Sequence, residues 1–212
     1  MPSVAKQRWF SWCAMTVWLG GSVGGYGLLL QYKATPGPLT QVPRHWPWQA
    51  TLARSEFSPS LLMFAHPRCP CTRASLNELA QVLSSCRDTD LTARVIFHVP
   101  KSLPTDWTES HLVAQARDIH GVEVIWDPNG DLTKRFGVQT SGHVLLYDQE
   151  GMLTFSGGIT GLRGHEGENA GRETVISFVR SRPRNASPIP VFGCPLIGHQ
   201  AAVCRSPSRN VP

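Results

Sequence analysis

The residues with the clearest chemical potential are two cysteines, Cys69 and Cys71, separated by a single proline. They follow an apolar run, Leu61–Ala65, that is typical of a buried strand. Apolar residues at helical spacing come next, from about residue 69 to residue 83. The sequence therefore predicts that the two cysteines lie where a strand ends and a helix begins.

A cysteine at such a junction is well placed to react. The start of a helix has free backbone N–H groups and a partial positive charge, which stabilise a thiolate and can lower a thiol pKa from ~8.5 into the range ~3.5–7.5. Pro70 suits a first helical turn because it has no N–H to leave unpaired. His66 and Arg68 are expected to add positive charge. We expect Cys69 to be the nucleophile or metal ligand, with Cys71 as its partner.

The remaining elements predict a mixed sheet flanked by helices. Strand-like and helix-like segments alternate until a hairpin, in the order βαβαβαββα. The first βαβ unit requires parallel strands joined by a right-handed crossover, and the hairpin formed by residues 143–148 and 152–158 adds two antiparallel strands. The predicted fold class is thus α/β.

This topology brings distant residues towards the cysteines. The first hairpin strand, antiparallel to the strand before Cys69, begins at the same rim of the sheet, which predicts that His143 lies beside the sulfurs. The second hairpin strand ends at that rim. The glycine-rich loop after it is therefore expected to overhang the site with Arg163, His165 and Glu166.

The two ends of the chain differ in composition from its middle. The formal net charge is +5, but residues 1–44 and 180–212 contain bases and no acid, while the middle has more acids than bases. Basic residues on the folded face, as nucleic-acid binding requires, are not indicated.

The uncharged run between Arg8 and Lys33 exceeds the ~20 residues that a membrane-spanning helix needs. The positive-inside rule favours a signal anchor with the domain on the periplasmic or extracytoplasmic side, and a cleaved signal peptide is the alternative. The expected organisation is a cytoplasmic N-terminus at residues 1–8, a transmembrane anchor at 9–32, a linker at 33–45, a folded domain at 46–182 and an irregular basic tail at 183–212.

Three segments, "LLMFAHPRCPCTRASLNEL", "VIWDPNGDLTKRFGV" and "HVLLYDQEGMLTFSGG", together resemble the thioredoxin superfamily over about residues 46–181. The similarity is to its membrane-tethered branches: TlpA-like thiol–disulfide oxidoreductases, peroxiredoxin-like proteins and Sco-like proteins. The resemblance aligns the first cysteine of the family's CxxC motif with Cys69 and the second position with Thr72, so this chain has CPC instead. It also places the family's cis-proline near Gly142, which makes Gly142 a site-lining residue.

Three functions remain open at the level of sequence. In the first, a thiol–disulfide oxidoreductase without a cofactor, Cys69 attacks a disulfide in a protein partner and Cys71 resolves the mixed disulfide. Cys194 could instead fold back as the resolving cysteine, or form a bridge with Cys204 in a loose tail. In the second, Cys69, Cys71 and His143 bind Cu(I) at a soft trigonal site, as the Sco-like resemblance implies. In the third, the cysteines are only a structural link.

Overall fold

The computed structural model describes residues 4–48, 50–99, 107, 109–181 and 189–197. The chain divides into two compact units, Met1–Thr35 and Pro36–Pro212.

The first unit contains a single long helix, α1, which spans Val4–Ala34. Its part from Arg8 to Ala34 has 27 residues and is long and apolar enough to cross a bilayer. At about 1.5 Å per residue these residues reach about 40 Å, against a hydrocarbon core of about 30 Å. A signal sequence near the N-terminus has the same length and apolar composition. These properties therefore fit both a membrane anchor and a signal sequence.

The second unit is built around one sheet. Its elements are β1 (Ser60–Ala65), α2 (Pro70–Ser85), β2 (Thr92–Val99), α3 (His111–Asp118), β3 (Val122–Pro128), α4 (Asp131–Arg135), β4 (His143–Tyr147), β5 (Leu153–Gly158) and α5 (Ala170–Ser181). Among the described residues, five strands pair in the order β3-β2-β1-β4-β5. β1 is parallel to β2 and β2 to β3, whereas β4 is antiparallel to both β1 and β5. The predicted mixed α/β sheet is confirmed.

The core has two layers, one on each face of the sheet. Helices α2, α3 and α5 pack on one face with alternate residues of the strands, such as Met63, Val144 and Leu146. The opposite face carries residues such as Phe64 and Tyr147 and is covered by α4 and by residues from the segment 42–52. Because strand side chains alternate between faces, neighbours along one strand lie in different layers.

The segment predicted to be a linker, residues 33–45, is partly bound to the domain. The Gly37 N–H donates to the Val191 carbonyl at 2.8 Å, and the Tyr147 hydroxyl donates to the Pro43 carbonyl at 3.0 Å. The predicted linker thus also packs on the domain, and its residue Val42 adds apolar cover to the sheet face that carries Phe64 and Tyr147.

The predicted tail also differs from the expectation in part. Residues 189–197 return to the domain: Val191 and Leu196 are buried, and the Ile189 N–H donates to the Ser156 carbonyl at 3.1 Å. Their apolar side chains gain more from burial than from exposure to water. Residues 182–188 and 198–212, which include Cys204, lie outside the described residues.

Candidate functional site

Cys69 is the residue at which helix α2 starts. It is the N-cap of the helix in an extended conformation, and Pro70 occupies the first helical position. The Cys69 carbonyl accepts from the Thr72 N–H at 3.0 Å, and the Cys69 N–H donates to the His66 carbonyl at 3.1 Å. The sequence prediction of a cysteine between a strand and a helix start therefore matches the geometry.

Three cysteine sulfurs meet at this point. The Sγ atoms of Cys69, Cys71 and Cys194 all lie within 4.8 Å of one another. The Cys69 and Cys194 sulfurs are 2.8 Å apart. A disulfide bond is about 2.05 Å long, so the two sulfurs are in direct contact without being bonded to each other. Cys69 and Cys194 are buried, whereas Cys71 is partly exposed.

The hydrogen bonds among the sulfurs separate their acidities. Hydrogen bonds from Cys194 and then from Cys71 lower the pKa of Cys69 far below its ordinary value, although burial acts in the opposite direction. For Cys71, the hydrogen bond with Cys194 lowers the pKa, but the hydrogen bond with Cys69, burial and the charge of Cys69 outweigh it and raise the pKa. The Cys69 thiol therefore has a lower pKa than the Cys71 thiol, which is the direction that a nucleophile or a metal ligand needs.

Backbone pairing brings Cys194 to the site. The Ser141 N–H donates to the Cys194 carbonyl at 2.8 Å, and the Leu196 N–H donates to the Gln139 carbonyl at 2.8 Å. Gly193 allows this approach, because a Cβ there would collide with the Ser141 carbonyl oxygen. The sequence analysis gave Cys194 only as an alternative resolving residue. No local sequence pattern links it to Cys69, which is far away along the chain.

A hydrogen-bonded cluster joins the strand end, the helix start and the turn before β4. The His66 N–H donates to the Ser141 hydroxyl at 3.0 Å, and the Thr72 hydroxyl donates to the His66 carbonyl at 3.1 Å. The hydroxyls of Thr72 and Ser141 are 3.0 Å apart. Thr72, where the CxxC pattern has its second cysteine, thus serves as a buried linking residue. The sequence prediction did not identify Ser141 or Thr72.

His66 differs from its predicted role as a source of positive charge. Burial, more than any other cause, lowers its pKa to about 4, so the ring is neutral at neutral pH. Its Nδ1 accepts from the Arg68 N–H at 3.1 Å, and its ring packs edge-on against Trp107. The Arg68 guanidinium lies 5.2 Å from the centre of the same indole. The charge of Arg68 is thus directed to an aromatic face, a favourable contact of its own.

His143 does not join the sulfurs, which corrects the prediction that it does. Its Nε2 lies 2.9 Å from the Ser156 hydroxyl, and its side chain is buried. It alternates along β4 with Val144, which faces the helix α2 layer, so its own side chain lies on the other face with Leu145. Burial lowers the pKa of His143 to about 4. Among the described residues, the metal-capable group contains Cys194 in its place.

Gly142, which the resemblance makes a site-lining residue, lies between strand β1 and helix α2. Its N–H donates to the Phe64 carbonyl at 2.7 Å. Its φ is +88°, and a Cβ would meet the Ser75 hydroxyl at 2.8 Å, so both its conformation and its surroundings favour glycine.

The glycine-rich loop reaches the site through one of its three predicted residues. The Arg163 guanidinium donates to the Gly193 carbonyl, and its charge acts to lower the pKa of Cys71. His165 and Glu166 are exposed, and neither belongs to the cysteine cluster found among the described residues.

The loop is held by a residue that the sequence prediction did not single out, the buried Glu78 of helix α2. Its carboxylate accepts from the Gly167 N–H at 2.7 Å and from the Arg172 guanidinium at 2.8 Å. The sequence signal that could have identified Glu78 is a glutamate at a position on the apolar face of a predicted helix.

Comparisons with known proteins agree at the level of the fold. No family model and no curated protein matches this sequence. A hypothetical protein from Sinorhizobium meliloti 1021 matches in structure with a TM-score of 0.53 and 17% identity, covering 77% of this chain and 91% of that one. An uncharacterized conserved protein from Geobacillus kaustophilus matches with a TM-score of 0.54 and 14% identity, covering 77% and 90%.

A secreted Mycobacterium tuberculosis disulfide oxidoreductase matches with a TM-score of 0.41 and 17% identity, covering 58% of this chain and 81% of that one. The strand order, the parallel βαβ unit and the closing antiparallel hairpin, with cysteines at the start of helix α2, identify the architecture. The chain has a thioredoxin-like fold with a Cys-Pro-Cys sequence in place of CxxC.

Proposed function

We propose that the protein is a membrane-anchored thiol–disulfide oxidoreductase whose nucleophile is Cys69 and whose site includes Cys71. The observation that carries the proposal is the position of the Cys69 sulfur, at the start of helix α2 and within 4.8 Å of two further sulfurs. An exchange reaction requires both a stabilised thiolate and a second thiol within reach.

The reaction proceeds in two displacements. The Cys69 thiolate attacks one sulfur of a disulfide in a protein partner; a mixed disulfide forms, and the partner's other sulfur leaves as a thiolate that takes a proton from solvent. A second thiol of the site then attacks the Cys69 sulfur and releases the partner's remaining thiolate. The partner gains two electrons and the site becomes a disulfide; the reverse sequence oxidises a dithiol partner.

The test uses the full chain, purified in detergent and equilibrated with mixtures of reduced and oxidised glutathione. Free thiols are counted by alkylation and mass spectrometry at each ratio. We expect a reversible two-electron couple that Cys69→Ser abolishes. Cys86→Ser is the matched control, because Cys86 is also a buried thiol but lies beyond the far end of helix α2. An unchanged couple in Cys69→Ser, or none in the native chain, would overturn the proposal.

The proposed location is a membrane, with the domain on the extracytoplasmic side. The apolar helix between Arg8 and Ala34 and the two bases before it support this arrangement. Carbonate extraction of membranes tests the anchor, and protease treatment of intact and opened vesicles tests the side. Release of the protein from membranes by carbonate would contradict the anchor. A domain that resists protease added from the extracytoplasmic side would contradict the orientation.

Cu(I) binding is a second candidate function, and the cluster of three sulfurs favours it. Thiolates are the soft ligands that suit Cu(I), and Cys69, Cys71 and Cys194 would hold the ion, with His143 excluded from the set. Titration of the full chain with Cu(I) against a competing chelator tests it. Binding of one Cu(I) ion that survives His143→Ala and is lost in Cys194→Ser supports this candidate. If the protein takes no Cu(I) from the chelator, this candidate is excluded.

A further inference from the structure

The partner thiol of Cys69 is decided by geometry, and the contacts single out Cys194. Its sulfur lies 2.8 Å from the Cys69 sulfur, so a bond between them needs a movement of less than about 1 Å to reach disulfide length. Both residues are buried, so the two sulfurs face each other inside the domain.

Cys71 is less well placed for a bond to Cys69. It lies in the first turn of helix α2, directly after Pro70, whose ring holds φ near about −65°. The Cys71 sulfur lies within 4.8 Å of the Cys69 sulfur, but a ring closed across a single residue strains the disulfide. Cys71 is also the partly exposed member of the group.

Cys194 is held in place before any bond forms. The Ser141 N–H binds its carbonyl at 2.8 Å, and the Arg163 guanidinium binds the carbonyl of Gly193 immediately before it. An isolated antiparallel bridge joins the next residue, Pro195, to Thr140. A thiol presented by paired backbone loses little conformational freedom when it reacts.

We infer that Cys194 is the resolving cysteine and that the oxidised protein contains a Cys69–Cys194 disulfide. The inference rests on the proposed function. After Cys69 has formed the mixed disulfide, the Cys194 thiolate attacks the Cys69 sulfur; the new S–S bond forms, the mixed disulfide breaks, and the partner leaves as a thiolate. Cys71 remains a thiol throughout.

This bond also ties the C-terminal segment to helix α2. The two cysteines are 125 positions apart, so the oxidised form is closed by one long-range link between segment 189–197 and the start of the helix. Reduction leaves that segment held by hydrogen bonds and apolar contacts alone.

Disulfide mapping of the full chain in detergent tests the inference. The protein is oxidised with oxidised glutathione, alkylated and digested with trypsin, which places Cys69 and Cys71 in one short peptide bounded by Arg68 and Arg73. Cys194 and Cys204 share another peptide, so the mapping is done in Cys204→Ser. We expect the two peptides to be linked. A link within the first peptide, with none between them, would overturn the inference and leave the proposed function intact.

Single variants separate the inference from the function on which it rests. Cys194→Ser and Cys194→Ala are expected to lose the two-electron glutathione couple, and Cys86→Ser, which lies outside the site, is expected to keep it. A couple that survives in both Cys194 variants overturns the role of Cys194 alone. A couple that survives Cys69→Ser overturns the proposed function itself. Two different residues replace Cys194 so that a failure of one variant to fold does not decide the result.

Discussion

Two histidines near the site, His66 and His143, are expected to make the domain sensitive to acid. Both are buried, and burial lowers the pKa of each from 6.5 to about 4. In the folded protein the rings therefore stay neutral at pH values where the unfolded chain has already protonated them. We therefore expect the folded domain to lose stability when the pH falls from 7 to 4.5.

The sign and size of the effect follow from linkage. Above pH 6.5 neither state binds the proton, so these groups leave stability unchanged. Between pH 6.5 and about 4 the unfolded state binds more protons, and the free energy of unfolding falls by up to about 1.4 kcal/mol per pH unit for each histidine. A pKa difference of about 2.5 is about 3 kcal/mol per residue, a large part of the about 5–15 kcal/mol that folded proteins have.

Denaturant unfolding of the full chain in detergent, at several pH values from 7.5 to 4.5, measures this. His143→Gln removes one titrating group and keeps a polar atom that can reach Ser156. It is expected to lessen the loss of stability between pH 7 and 4.5 by about 2–3 kcal/mol. Carboxylates add their own acid dependence, so the difference between variant and native protein is the quantity to compare. His120→Gln, at an exposed position, is the matched control.

Equal acid dependence in the native protein and His143→Gln would refute the reasoning. It would mean either that His143 is not buried in the folded state or that it protonates there without cost. His66→Gln gives an independent second measurement, because Nδ1 of His66 accepts one backbone hydrogen bond that a glutamine oxygen can also accept.

Three further changes probe the elements that support the site. Glu78→Ala leaves the Arg172 guanidinium without its buried partner and is expected to lower the free energy of unfolding by about 3–5 kcal/mol in denaturant titrations. Stability is expected to recover when Arg172→Met is added. No recovery would show that the ion pair is not the cause. Asp127→Ala removes three hydrogen bonds at the start of α4, and we expect a loss of at least about 1–2 kcal/mol by the same measurement, against no change if the cap is dispensable. Gly193→Ala forces the C-terminal segment away from Ser141, so the Cys69–Cys194 link should form more slowly under oxidation; an unchanged rate would show that this close approach does not position Cys194.

The architecture could be predicted from sequence because its signals are local. The apolar run of β1, the proline at the first position of helix α2 and the turn inside the closing hairpin each specify an element within a few residues. The rule of right-handed parallel crossovers then leaves few arrangements. The position of Cys69 follows from the same signals, since it depends only on where one strand ends and the next helix begins.

The side of the sheet to which His143 points could not be predicted in this way. An alternating pattern reveals the two faces of a strand only when one face is polar. In β4 all five residues are buried, because helices cover one face and α4 with the segment 42–52 covers the other. The sequence of β4 therefore had no contrast from which to read the orientation of its first residue.

What the sequence by itself determined is the start of one helix: a cysteine, a proline and a second cysteine after a buried strand, in a fold of parallel and antiparallel strands. What only the tertiary structure decided is which residues accompany that cysteine. Cys194 replaces His143 as the third member because backbone pairing with Gln139 and Ser141 brings its segment to Cys69, from which it is 125 positions away along the chain. Such long-range pairing depends on the packed sheet and leaves no periodic trace in the chain.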